Sequence, residues 1–95
     1  SPTDLVSSAL ASCVMTILGI KARDMGHNDI EMDAKVWKQM ASNPRRIGKI
    51  QVELDVRIPN ATEQQKTILE RTTRACPVAR SLSSETEKEV RFNWL

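Results

Sequence analysis

ASCVMTILGIKARDMGHNDIEMDAKVW, residues 11–37, changes its apolar period halfway along. Up to Arg23 the apolar side chains fall three and four apart, the spacing of one helix face. From Ile30 they fall on every second residue, as in a strand with one buried face. Asp24 to Asp29, with Gly26 among polar turn formers, separates the two regimes. A helix passing directly into a strand makes this an α+β chain rather than a bundle or a β-sandwich.

Working back from that boundary, Leu5, Val6, Ala9, Leu10, Cys13, Val14, Ile17 and Ile20 keep the helical spacing, and Met15 and Leu18 widen the stripe. The reading is a helix from Asp4 to about Arg23, capped by Ser1 or Thr3 and buried on most of its sides. Working forward, Ile30, Met32, Ala34 and Val36 alternate with polar residues and with Trp37. After the break SNPRR (42–46), Ile50, Val52, Leu54, Val56 and Ile58 alternate again, which predicts a hairpin. Pro59 closes the second strand. Thr62 with Gln65, or Asn60 with Glu63, then opens a helix running to about Ala75. Its inner face is Ile68, Leu69, Thr72 and Ala75, with a Glu70–Arg74 pair outside. Cys76 precedes Pro77, which bars it from helical dihedrals, and Pro77 suits the first position of a short helix to about Leu82. Val90, Phe92 and Trp94 alternate in a last strand. The expected order is α-β-β-α-α-β, an antiparallel sheet packed on a long central helix and a second helix.

A chain of 95 residues is one domain and buries only about 60 to 65% of its unfolded surface. With Phe92, Trp37 and Trp94 as its only aromatics, the core is aliphatic and modest. Fourteen basic against twelve acidic residues leave a net charge of +2, too little for the positive field that nucleic acid selects, so no nucleic acid is expected. The sixteen residues from Leu5 to Ile20 are interrupted by Ser7, Ser8, Ser12 and Thr16, short and polar for a membrane span, so no membrane is expected either. LASC (10–13) has the look of a lipoprotein cleavage box, but no basic residue precedes it and apolar sequence continues past it. His27 stands alone and reads as a solvated loop residue, so no metal and no other cofactor is expected. Arg45, Arg46 and Lys49 read as a charged hairpin turn. GxSxG and glycine-rich phosphate loops are absent.

That leaves the two thiols, Cys13 and Cys76, sixty-three residues apart. They are too few for a disulfide scaffold and lack CxxC spacing, which suits a cytoplasmic protein. Apolar surroundings disfavour a thiolate at Cys13, and nine residues beyond Asp4 the helix dipole contributes little. Cys76, at a helix start with Arg74 and Arg80 near in sequence, is better placed to ionise. Read from the residues alone, Cys76 is the nucleophile and Cys13 its partner or a packing residue.

SPTDLVSSALASC (1–13) followed by TILERTTRACPVARSL (67–82) resembles the OsmC/Ohr family, in which a central helix carries one cysteine after a Pro-x-x-Leu start and a CPV turn carries the other. The resemblance covers the whole chain and implies a single OsmC-like domain over residues 1–95, the C-terminal two-thirds of the usual family domain, with the N-terminal strands missing. It implies that Cys13 is the peroxidatic thiol and Cys76 the resolving one, in a thiol-dependent peroxidase that reduces organic hydroperoxides. It further implies a homodimer interlaced around two central helices and an external dithiol reductant. The family's activating arginine lies in the N-terminal strands, ahead of residue 1. Thr3, not glutamate, follows Pro2, and Asp4 is one position, about 100° of helix, out of register. In this the chain is similar to the YhfA-type branch. An apolar wall of Ala9, Leu10, Val14 and Ile17 beside Cys13 would suit an alkyl peroxide. The alternative is a non-catalytic dimeric binding or structural protein that keeps the OsmC-like core.

Overall fold

A computed structural model describes all residues from Ser1 to Leu95. Helix α1 spans Pro2–Asp24, β1 Glu31–Ala41, β2 Arg46–Arg57, α2 Glu63–Thr72 and α3 Pro77–Ser81, with a 3-10 turn over Thr73–Ala75 before α3, and β3 spans Glu87–Trp94. The expected order of elements is the observed one.

Each boundary has a local cause. Ser1 caps α1, its Oγ accepting from the Asp4 amide at 3.2 Å. At the other end His27 N donates to Ala22 O and Gly26 N to Arg23 O, at 3.0 and 2.9 Å. This double closure needs a left-handed residue after the last turn, and Gly26 supplies it at φ 95°. Of the two possible starts for α2 the structure takes Thr62 with Gln65. Thr62 Oγ1 accepts from Gln65 N, and Gln65 Oε1 accepts from Thr62 N, both at 3.1 Å. His27, expected to be a solvated loop residue, is half-buried instead, its Nε2 lying 2.9 Å from the same Gln65 Oε1. It joins the end of α1 to the start of α2.

β1 and β2 form the expected antiparallel hairpin, with Val36 opposite Val52 and Ala34 opposite Leu54, and a bulge between Gln39 and Met40. At the turn Asn43 takes a positive φ of 60°, which its side chain tolerates better than most. β2 is central, and β3 lies on its other side. Here the structure corrects the antiparallel sheet: β3 runs parallel to β2, with Leu54 opposite Phe92 and Val56 opposite Trp94, so the sheet is mixed. The cause is the connection. α2 and α3 carry the chain back along the sheet before β3 begins, and a helical crossover returns a strand in the direction of the first.

The core lies between α1 and the inner face of the sheet. Leu10, Val14, Leu18 and Ala22 from α1 meet Ile50, Val52, Leu54 and Val56 from β2, with Leu69 and Cys76 closing one end. By length and composition α1 could cross a membrane, but here its most buried face is spent on this core. Burial is narrower than the sequence implies. Within one chain α1 covers one side only, leaving Leu5 72% and Ile20 53% exposed, and Ala9 is exposed too. Along α2, Leu69 and the neighbouring Thr73 are buried while Ala75 is exposed, because the helix tightens into the 3-10 turn and shifts the inward face. The molecule is long, 47 × 19 × 19 Å, with a radius of gyration of 14.1 Å. A compact domain of this length has about 12.4 Å. One sheet with one covered face accounts for the elongation.

Candidate functional site

The two thiols come together although they start on different elements. Cys13 sits on α1, half-buried, packed against the core cluster that includes Cys76. Cys76 caps α3, with φ −59° and ψ 120°, outside the helical region as the following proline requires. Its Sγ accepts from the Ala79 amide at 3.5 Å. Cys76 is only 1% exposed, and neither cysteine is in a disulfide.

The electrostatics run against the expectation that the helix start and nearby arginines favour a thiolate at Cys76. Burial pushes its pKa up, and the neighbouring Cys13 thiol, through a side-chain contact, pushes it further. The amides of Ala79 and Val78, at the start of α3, act in the opposite sense and do not offset this. None of these leading influences is a cation. Sequence proximity counts Arg74 and Arg80 as neighbours. Desolvation, set by what packs over the sulfur, is the larger effect.

Beside Cys76 the structure has a cleft of about 440 Å³ between α1, the 3-10 turn, α3 and β3. Leu10, Val14, Ala79, Val90 and Phe92 make its apolar lining. The apolar wall expected beside Cys13 is therefore only half realised: Leu10 and Val14 line the cleft, Ile17 packs elsewhere on the core margin, and Ala9 faces outward. Of the two cysteines Cys76 lines the cleft and Cys13 does not. A depression of equal volume lies on the sheet beside Trp37, Lys38 and Lys49, but it has one apolar residue and neither thiol. The thiols, not volume, single out the first.

Two further contacts bear on the site. Asp4, near the position where the resemblance puts a glutamate, is held by the Lys38 ammonium from β1 and then by the Ser1 hydroxyl. Its pKa falls from 3.8 to about 2, chiefly through the hydrogen bond from Lys38. That carboxylate is engaged across thirty-four residues, a pairing that no local pattern signals. The Glu70–Arg74 pair expected on α2 does not form. Glu70 Oε2 instead accepts from Trp94 Nε1 at 3.0 Å, and Lys66 lies 5.6 Å from the centre of the Trp94 ring. Trp94 was legible as the inward residue of the last strand, and its indole needs an acceptor when partly buried.

The family described as OsmC-like protein matches residues 1–91. Among solved structures, a candidate osmotic-stress-induced and detoxification-response protein from Psychrobacter arcticus 273-4 superposes with a TM-score of 0.88 and 38% identity, over 98% of this chain and 67% of that one. An OsmC-like protein from Mycoplasma pneumoniae gives 0.77 at 19% identity, over 100% of this chain and 72% of its own. The organic hydroperoxide resistance protein OhrB of Bacillus subtilis gives 0.66 at 18%, over 98% and 70%. The last two likenesses are of fold alone. No curated protein matches the chain.

Proposed function

The chain belongs to the OsmC-like protein family, and from that premise we propose that it is a thiol-dependent peroxidase that reduces organic hydroperoxides through Cys13 and Cys76. The observation that carries this reading is the meeting of the only two cysteines, sixty-three residues apart in sequence, beside a cleft with one apolar wall. Cys13, as thiolate, attacks the outer oxygen of the hydroperoxide. The O–O bond breaks, the alcohol leaves with a proton, and the sulfur is oxidised to sulfenic acid. The Cys76 sulfur then displaces hydroxide from that sulfenic acid, giving a disulfide and water. An external dithiol returns both thiols and is itself oxidised to a disulfide. Free thiols of this kind suit the reducing cytoplasm.

Treating the reduced chain with cumene hydroperoxide is expected to consume both thiols and yield one peptide pair joined through Cys13 and Cys76, read by mass spectrometry as the loss of two hydrogens per chain. Thiols that persist under excess peroxide would sink the peroxidase reading. One observation favours the non-catalytic alternative: no cation is among the leading influences on the buried thiol. The same experiment decides between them.

We also propose that the working form is a homodimer. Leu5 and Ile20 on the outer side of α1, and the elongated shape, leave apolar surface that a second copy would cover. Sedimentation at micromolar concentration is expected to give twice the chain mass of 10.7 kDa. A cooperatively folded monomer at that dilution would contradict it.

A further inference from the structure

The depression on the sheet is lined by Trp37, Lys38, Gln39, Lys49, Gln51 and Glu53 and holds about 440 Å³, within the range of small-molecule sites, about 300–1,000 Å³. Trp37, Gln39 and Gln51 alternate with the residues that meet α1, so they stand on the outer face of the sheet. Trp37 is 47% exposed. The two tryptophans differ in what engages them. The Trp94 indole donates to Glu70 and has Lys66 beside its ring, whereas the Trp37 indole has neither an acceptor nor a cation within the chain. Gln51 is directly opposite Trp37, and Gln39 follows two residues along the same face. Neither carboxamide makes a side-chain hydrogen bond within the chain. The charges around them, by contrast, are engaged: Lys49 pairs with Glu89 at 3.3 Å, Lys38 bonds Asp4, and Glu53 accepts from Asn93 at 2.9 Å with Lys35 opposite it. What the depression leaves open is uncharged: one aromatic face, one indole N–H and two carboxamides.

We propose that this depression binds an uncharged saccharide, with one pyranose ring stacked on Trp37 and its hydroxyls on Gln39 and Gln51. A pyranose presents a face of C–H groups carrying partial positive charge, which the negative face of the indole attracts. Each carboxamide supplies one acceptor and two donors, the complement of neighbouring hydroxyls that both give and take hydrogen bonds. Charge balance selects a neutral ligand. An anion would reach Lys49 only by displacing Glu89, and would meet Glu53 on the same wall. The site shares no residue with the thiol pair, and Leu5 and Ile20, the surface proposed for a second copy, belong to α1 on the other side of the sheet. A homodimer formed there leaves Trp37 open.

Titration of the nitrogen-15-labelled full chain with methyl β-D-glucopyranoside, followed by NMR, tests this, because each of the two tryptophans gives its own indole N–H signal. The Trp37 signal is expected to shift with a Kd of about 1 mM, while the Trp94 signal, held by Glu70, stays in place. Sorbitol, which has the hydroxyls but no ring face, should bind at least about tenfold more weakly. Trp37→Thr keeps a strand-forming residue and should weaken the glucoside at least about tenfold, read at the Gln51 backbone amide. Gln39→Ala combined with Gln51→Ala should weaken it about fivefold, and Arg57→Ala, on the same face but outside the lining, should behave as the parent. A Trp37 signal unmoved at about 50 mM glucoside, equal binding of sorbitol, or parental affinity in either the Trp37 or the double glutamine variant overturns the proposal. Adenosine moving the Trp37 signal at lower concentration than the glucoside would assign the ring to planar heterocycles and overturn it as well.

Discussion

Cys13→Ser is expected to reduce hydroperoxide consumption to the uncatalysed background, whereas Cys76→Ser should still complete one turnover and stop with a sulfenic acid on Cys13. The asymmetry follows from the surroundings of the two sulfurs. Cys76 is 1% exposed, and burial together with the adjacent Cys13 thiol raises its pKa, so near neutral pH it is overwhelmingly the protonated thiol. Only a thiolate attacks the O–O bond, so the raised pKa counts against Cys76 as the first nucleophile. Cys13 is partly exposed on α1 and reachable. Once Cys13 is a sulfenic acid, a buried neighbour in side-chain contact is well placed to condense with it, and in Cys76→Ser the sulfenic acid persists because its partner is gone. Single-turnover peroxide decay, with a sulfenic-acid trap and peptide mapping, checks both halves. Sulfenic acid trapped on Cys76 in Cys13→Ser, with peroxide still consumed, would reverse the roles.

Leu54→Ala is expected to cost about 2–5 kcal/mol of folding stability. Leu54 is wholly buried in the central strand, between Ala34 on β1 and Phe92 on β3, under the inner face of α1. Ala34 opposite is small, so it cannot swell into the space that the truncation leaves. Two main-chain ladders hold β2 in place, which limits collapse around the cavity. Domains of this size have roughly 5–15 kcal/mol in all, so the loss is a large share. Urea unfolding at one fixed chain concentration, followed by tryptophan fluorescence, should show a much lower midpoint at nearly unchanged slope. A shift worth under about 1 kcal/mol would mean that this stretch of the sheet is not the core it is taken to be.

The thiol pair and the core differ in how they could be read beforehand. Leu54 is one of five alternating apolar residues from Ile50 to Ile58, and its burial follows from that alternation once any layer covers the sheet. The roles of Cys13 and Cys76 do not follow from any alternation. Residue-level reasoning about arginines and helix starts pointed to Cys76, whereas its burial beneath α1 raises its pKa, which no local pattern signals.

What the sequence determined by itself is local. The change of period at residues 24–29, the Gly26 stop, the capping box of Thr62 and Gln65, and the non-helical Cys76 ahead of Pro77 depend on residues within a few positions of one another. Propensity and capping act over that range, so these features were legible. Tertiary structure alone decided the direction of β3, the capture of Glu70 by Trp94 that leaves Arg74 unpaired, the hold of Lys38 on Asp4, and the burial that raises the Cys76 thiol. Each is a contact between residues twenty or more positions apart, or a desolvation caused by them. Periodicity says which face of an element turns inward, but not which remote group it meets there, and partner and dielectric surroundings are what set strand direction, charge pairing and thiol acidity.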